Sequence, residues 1–259
     1  MNYTLYGFLF AAGLFFGMLI LLEGGRRLGV RRMARDPEGA FAGVGTVEAA
    51  IFGLLGLLMA FTFLGAASRF DARRQLIVEE TNDIGTAYLR IDLLPVDAQA
   101  ALREIFRRYL DARLEAYRKL PDIAAAKEAL AKANELQGEI WRQAVAASRA
   151  PGASPEAPLV VVPALNAMID ITTTRTMATQ MHPPTIVFAM LFGLAVTSAL
   201  LAGYAMAKGR SRSWLHMLCL AFVTAVVVFV IIDLEAPRLG FVRIDAFDQA
   251  LVKLRESMK

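Results

Sequence analysis

Four long stretches of the sequence carry no charged side chain, and this feature constrains the fold more than any other. They cover residues 5–22, 49–67, 185–207 and 217–232. A helix needs about 18 or more apolar residues to cross the hydrocarbon core of a bilayer. Helices buried in soluble proteins rarely stay apolar on every face. The hydrophobic share of 56% fits the same interpretation. We therefore predict an all-α membrane protein with four transmembrane helices.

These spans divide the chain into four predicted regions. Transmembrane helices 1 and 2 are expected at about 5–22 and 48–66 within residues 1–66, and helices 3 and 4 at about 185–207 and 215–233 within residues 185–234. Residues 67–184 lie between helices 2 and 3, and residues 235–259 form a C-terminal tail. No alternating strand pattern is evident in residues 67–184, so we expect a helical-bundle extramembrane domain inserted there.

The inserted region is predicted to contain four helical segments. Residues 48–94 contain no proline, so the second span is expected to continue as one helix until Pro95. At 1.5 Å per residue that helix is about 70 Å long, more than twice the thickness of the membrane core. Further helices are expected from Asp97 as N-cap, from Asp122 to about Ser148, and over about 159–181. The helix from Asp97 carries apolar residues at helical spacing: Leu102, Ile105, Phe106, Tyr109, Leu110 and Leu114.

Basic residues in two short loops provide an orientation argument. The loop 23–47 has five arginines, and the loop 208–214 has three basic residues and no acid. The positive-inside rule places such loops in the cytoplasm, which puts both termini and the large domain outside. Three arginines just beyond the second span, at positions 69, 73 and 74, favour the opposite orientation.

The sequence shows few of the residue patterns that are typical of catalytic sites. The two histidines, His182 and His216, have no cluster of Cys, His, Asp or Glu near them at the spacing of metal ligands. No basic patch is interleaved with aromatic residues, as nucleic-acid binding would require. The four charge-free stretches contain no acidic, basic or histidine side chain that could relay protons, and Glu48 and Asp233 lie at the boundaries of the predicted spans. We therefore expect no enzyme, metal, cofactor or nucleic-acid partner, while a pore of apolar and small side chains assembled from several subunits stays open.

Several segments resemble the bacterial bestrophin-like family. They are residues 61–95, with an Arg-Phe-Asp-x-Arg-Arg block, residues 166–175, the His-Pro-Pro corner at 182–184, and residues 231–244. Glu235 stands where the family usually has Asp, and the tail after Ile244 matches poorly. The resemblance implies four transmembrane helices in a bacterial inner membrane. Through more distant similarity to bestrophins, it also implies a homo-pentameric pore for inorganic ions lined by the second helix. Bestrophins place their helical domain in the cytosol, against the charge rule, and both orientations stay open.

Three functions are compatible with this sequence. The first is a homo-oligomeric ion channel or channel-like pore, for which Thr62, Ala66 and Arg69 are the predicted pore-lining residues. The second is a non-conducting membrane scaffold or sensor that acts through its helical extramembrane domain. The third is a flagellar-stator-type, proton-driven subunit, which ranks last because spans 3 and 4 contain no proline.

Charged residues are also predicted to pair where the domain meets the membrane. They are Arg73, Arg74, Glu79, Glu80, Asp170 and Arg175. In each of the three functions this network would be structural, and the lipid bilayer and further copies of the chain are the expected partners.

Overall fold

The computed structural model describes residues 3–209 and 213–258, which are helical and contain no β-strand. The helices are α1 (Tyr3–Arg35), α2 (Val44–Leu89), α3 (Val96–Arg118), α4 (Ile123–Ser148), α5 (Ala157–Gln180), α6 (Thr185–Ala205), α7 (Trp214–Leu234) and α8 (Gln249–Ser257). Short 3-10 helices follow α2 (Arg90–Leu93), follow α6 (Met206–Lys208) and precede α8 (Asp245–Asp248).

Four helical segments are long and apolar enough to cross a membrane. They lie within Thr4–Arg35, Val44–Leu93, Ala157–Lys208 and Trp214–Leu234. Each contains one of the charge-free stretches of the sequence, and in the third segment that stretch begins with α6. The prediction of an all-α protein with four apolar spanning helices is confirmed. We therefore treat the chain as a membrane protein.

The chain divides into two compact units. The polar unit comprises Arg69–Met181 and the described residues from Pro237 onward, and the apolar unit comprises the described residues up to Ser68 together with His182–Ala236. The C-terminal segment, predicted as a separate tail, packs into the polar unit. Its Ile244, Leu251 and Met258 are at most 4% exposed, because these apolar side chains join the core of that unit.

In the apolar unit, α1 packs against α6 and α7. Met18 and Leu22 of α1 are fully buried. Two glycines set how closely α1 and α6 approach. A Cβ atom at Gly203 would overlap the carbonyl oxygen of Leu22, and one at Gly25 would overlap the carbonyl oxygen of Leu200. Small residues at a helix contact let two backbones approach closely, which is the usual basis of helix association in membranes.

The polar unit is built around the pairs α3–α4 and α4–α5. The predicted apolar stripe of α3 forms much of its core, and each member is at most 5% exposed: Leu102, Ile105, Phe106, Tyr109, Leu110 and Leu114. Helix α4 begins as predicted, because the Asp122 carboxylate accepts a hydrogen bond from the Ala125 backbone N–H at 3.0 Å.

Two predicted helix boundaries are wrong. The helix expected to run to residue 94 ends at Leu89 and is followed by the 3-10 turn Arg90–Leu93. Asp97, expected to be the N-cap of α3, lies inside its first turn, and Pro95 occupies the N-cap position. Proline has no N–H and a fixed φ, so it stands at a helix start without losing a hydrogen bond.

Candidate functional site

A buried cluster of charges lies in the polar unit. Glu80 of α2 is fully buried, and its carboxylate forms ion pairs with Arg113 of α3 and Arg175 of α5. Both guanidinium groups are at most 9% exposed. Taking a carboxylate out of water is costly unless opposite charges surround it. The two arginines provide that compensation and tie three helices together.

Tyr117 of α3 brings a third arginine into the same cluster. The guanidinium carbons of Arg238, Arg175 and Arg113 lie 4.2, 4.6 and 5.5 Å from the centre of its ring. Arg113 also donates a hydrogen bond from Nη2 to the Tyr117 hydroxyl oxygen at 2.7 Å. The face of an aromatic ring attracts cations at such distances. Tyr117 therefore gives three neighbouring cations a favourable contact.

The C-terminal segment supplies the remaining negative charge. Arg238 donates two hydrogen bonds of 2.8 Å to the two carboxylate oxygens of Asp248, and Asp245 lies 3.6 Å from the same guanidinium. Paired, bidentate contacts of this kind are among the stronger hydrogen bonds in proteins. Asp245 also pairs with the exposed Arg243 at 2.6 Å, so Glu80, Asp245 and Asp248 face this arginine as well as the three around Tyr117.

Burial controls the ionisation of this cluster. It raises the pKa of the Tyr117 hydroxyl above its usual value, and the charges of Arg113 and Arg238 act in the opposite direction. Burial, reinforced by the charge of Arg238, lowers the pKa of Arg175 to about 9, and Asp248 opposes the change. Tyr117 therefore stays neutral and Arg175 stays protonated near pH 7. The cluster holds helices and the C-terminal segment together.

The structure brings together only part of the predicted charge network. Glu80 and Arg175 meet in the cluster. Arg73 is buried and donates hydrogen bonds to the carbonyl oxygens of Ala178 and Met181, at 3.1 and 2.9 Å. Arg74 pairs with Asp71 at 2.8 Å and lies 4.3 Å from the centre of the Phe247 ring. The two remaining predicted members, Glu79 and Asp170, are exposed and form no ion pair within the described residues.

The prediction missed Arg113, Tyr117, Arg238 and Asp248. A sequence signal did exist for the first two. Arg113 and Tyr117 follow Tyr109 at intervals of four residues, so they continue the apolar stripe of α3. A basic residue inside an apolar stripe indicates a buried ion pair. Arg238 and Asp248 carried no comparable signal, because nothing in their local pattern shows that the C-terminal segment packs against α3.

A second candidate site is one face of α2 within the apolar unit. Exposed residues follow each other at intervals of three or four: Gly53, Leu57, Ala60, Leu64 and Ser68. The opposite face is covered and contains Leu55, Thr62 and Ala66, which are at most 6% exposed. Close backbone approaches join α1 to α6 and to α7, and in the described part of the chain α2 takes part in no such close pairing.

This burial argues against the predicted pore-lining residues. A pore between subunits is lined by side chains that are exposed on each single subunit. Thr62 is covered and its hydroxyl donates to the Leu58 carbonyl oxygen at 2.6 Å. Ala66 is fully buried and Arg69 is partly buried. The spacing of these three residues correctly indicated one face of α2, but the chain itself covers that face.

The apolar unit also contains buried acidic groups. At the C-terminal end of α7, Asp233 and Glu235 are both buried. Glu235 Oε2 lies 3.3 Å from Nδ1 of His182. Within residues 3–209 and 213–258, no group of three or more His, Cys, Asp and Glu side chains could hold a metal ion.

Comparison with known proteins assigns the chain to a family. Neither the curated proteins nor the solved structures provide a match. A family model described as the Bestrophin-like domain matches residues 12–246. The match includes most of α1, the other three apolar helices, the uncovered face of α2 and the buried cluster around Glu80 except for Asp248. The chain therefore belongs to the Bestrophin-like family.

Proposed function

We propose that the protein is a homo-oligomeric ion channel in a bacterial cell membrane, with α2 of each copy lining a central conduit. The uncovered face of α2 carries this proposal. In the most apolar window of α2, 17% of the residues are buried within the chain, against 28–33% for the other three spanning segments. A spanning helix with so little cover in its own chain has a surface available for other copies.

The composition of that face supports contact with protein. Around Gly53 and Gly56, no atom of the chain lies within 4 Å of the position that a Cβ atom would take. Small residues of this kind are enriched where membrane helices pack closely. Pores can also be lined by apolar and small side chains, since hydrophobic constrictions gate by losing water.

The part of α2 beyond Ser68 supports a water-accessible path for ions. Most of its exposed positions are polar and include Asp71, Gln75, Asn82 and Thr86, although Val78 and Leu89 are exposed too. In this proposal the polar unit is an extramembrane domain, inserted between the second and third spans. Five subunits are the expected number, by similarity to bestrophins.

The test asks whether a water-soluble reagent that reacts with a cysteine on α2 blocks ion flux. The exposed Cys219 is first replaced by serine. Ala60→Cys is then introduced, and the protein is reconstituted in liposomes loaded with a salt gradient. A charged, water-soluble thiol reagent should reduce the flux of this variant at least several-fold, because residue 60 faces the conduit. The matched control is Phe222→Cys on α7, which is 61% exposed and should face lipid. Its flux should not change.

Two results would contradict the channel. A homogeneous oligomer without flux under varied ions, pH and voltage would favour the scaffold or sensor function. Equal block of the Ala60→Cys and Phe222→Cys variants would show that α2 does not line the conducting path. Subunit number is measured separately by mass determination in detergent, and a monomer would exclude a pore between copies.

A further inference from the structure

The rest of the chain covers one face of α1 and leaves the opposite face exposed. One face packs against α6 and α7 and contains Met18 and Leu22, which are fully buried. On the other face Leu9, Phe16 and Ile20 are 56%, 61% and 71% exposed. These three positions are seven and four residues apart and lie within the charge-free stretch of the sequence. Large apolar side chains on an uncovered face of a spanning helix are in the right place to contact acyl chains.

The same face becomes basic after the charge-free stretch ends. Arg27 follows Ile20 by seven residues, Arg31 follows Arg27 by four, and both arginines are exposed. Arg27 and Arg26 share the carboxylate of Glu23, at 2.8 and 3.0 Å, so these three residues together keep one positive charge. Arg31 forms no ion pair within the part of the chain that the structure describes.

Lys208 lies near the other side of α1. A Cβ atom at Gly29 would lie 2.6 Å from the Cβ of Ala207, and Gly29 is on the covered face, opposite the exposed Arg27 and Arg31. The charge of the uncovered face therefore comes from its arginines. Arg27 and Arg31 are four residues apart on one helix, and like charges at that spacing repel each other. A bound anion would relieve this repulsion.

The depth of the arginines fits the phosphate layer of a bilayer. At 1.5 Å per residue, Arg27 and Arg31 lie about 7.5 and 13.5 Å along the helix beyond Leu22, where the charge-free stretch ends. Side chains of a helix tilt towards its N-terminus, which for α1 is the direction of the apolar stretch. Long arginine side chains therefore reach back to the headgroups while their charge stays in the polar layer.

We propose that this face of α1 binds an anionic phospholipid. The guanidinium groups of Arg27 and Arg31 hold the phosphate, and the acyl chains lie along Phe16 and Ile20. A guanidinium group matches a phosphate geometrically, because it donates two parallel hydrogen bonds. The site is independent of whether α2 lines a pore.

The test compares lipid binding by two charge-matched variants of the full chain in neutral detergent. The first is Arg27→Gln with Arg31→Gln. The control is Arg108→Gln with Arg118→Gln, which removes two exposed arginines from α3. Binding of phosphatidylglycerol and of phosphatidylcholine is measured by native mass spectrometry. The first variant should lose about 30-fold in affinity for phosphatidylglycerol, since each basic residue near an anionic surface contributes about 1 kcal/mol.

The control variant should bind phosphatidylglycerol as the natural protein does. A pair of lysines at positions 27 and 31 should restore only part of the affinity, because lysine keeps the charge but not the two parallel hydrogen bonds. Equal binding of the two lipids by the natural protein would overturn the proposal. Unchanged phosphatidylglycerol binding by the first variant would also overturn it. If glycerol phosphate without acyl chains binds equally well, the site takes free anions and not lipids. If the first variant changes subunit number and not lipid binding, a second copy of the chain covers this face.

Discussion

Glu80 is the carboxylate of α2 that pairs with two buried arginines. Its side chain is fully buried between two guanidinium groups, whereas the adjacent Glu79 is exposed. The cluster draws its members from α2, α3, α5 and the C-terminal segment, so a change at one residue affects four parts of the polar unit. Removing one partner of a buried ion pair leaves an uncompensated charge, which costs far more than the net contribution of the intact pair.

The substitution Glu80→Gln should therefore destabilise the polar unit strongly. It keeps the size of the side chain but leaves Arg113 and Arg175 buried without a carboxylate between them. The expected loss in the free energy of unfolding is about 3–5 kcal/mol. Denaturant unfolding in detergent measures it through the fluorescence of Trp141, which packs against the core of this unit.

Glu79→Gln is the matched control, because it makes the same chemical change one residue away at an exposed position. Its unfolding free energy should stay within about 0.5 kcal/mol of the natural protein. Equal effects at positions 79 and 80 would show that the buried ion pairs do not stabilise the polar unit.

At the level of helices, the contact between α1 and α6 depends on the absence of side chains. The α6 backbone at Gly203 approaches the Leu22 carbonyl oxygen too closely for a Cβ atom. Gly203→Ala should force the two helices apart and cost about 1–3 kcal/mol, the usual range for overpacking. Thermal melting of the purified protein in detergent measures the effect.

Gly193→Ala on the same helix provides the comparison, because no atom lies within 4 Å of the position of its added Cβ. Alanine favours helix over glycine by about 1 kcal/mol, so this variant should melt at the same or a higher temperature. A lower melting temperature for Gly193→Ala than for Gly203→Ala would contradict the close contact.

The helices that cross the membrane could be predicted because lipid imposes a strong rule on the sequence. A spanning helix must be long and free of charge, and all four charge-free stretches lie in the helices that meet this requirement. The covered stripe of α3 was predictable for a similar reason, since its apolar residues recur at helical spacing.

The uncovered face of α2 could not be predicted in the same way. Apolar residues occupy all sides of its first half, so periodicity does not show which side the chain covers. Thr62 and Ala66 were chosen for their spacing, yet Gly53, Ala60 and Leu64 are the exposed residues. The full buried cluster could not be predicted from local sequence patterns either. Arg238 joins it through a tertiary contact between segments far apart in the chain.

The two units of the molecule are stabilised by different interactions. In the polar unit, apolar side chains leave water and the buried ion pairs of Glu80 link the helices. In the apolar unit, lipid removes most of the hydrophobic gain from helix contact, so close packing at Gly25 and Gly203 becomes the main contribution. Mild detergent should therefore affect contacts of the apolar unit first, while denaturant acts on both units.

The orientation of the whole molecule can be decided by labelling cysteines from one side of the membrane. In a Cys219→Ser background, Ser154→Cys reports on the polar unit and Glu38→Cys on the loop between α1 and α2. The charge rule predicts that an impermeant maleimide labels position 154 in intact spheroplasts and position 38 only after lysis, because basic short loops stay in the cytoplasm. The opposite pattern would place the polar unit in the cytosol, as in bestrophins, and would show that the arginines beyond the second span determine the orientation.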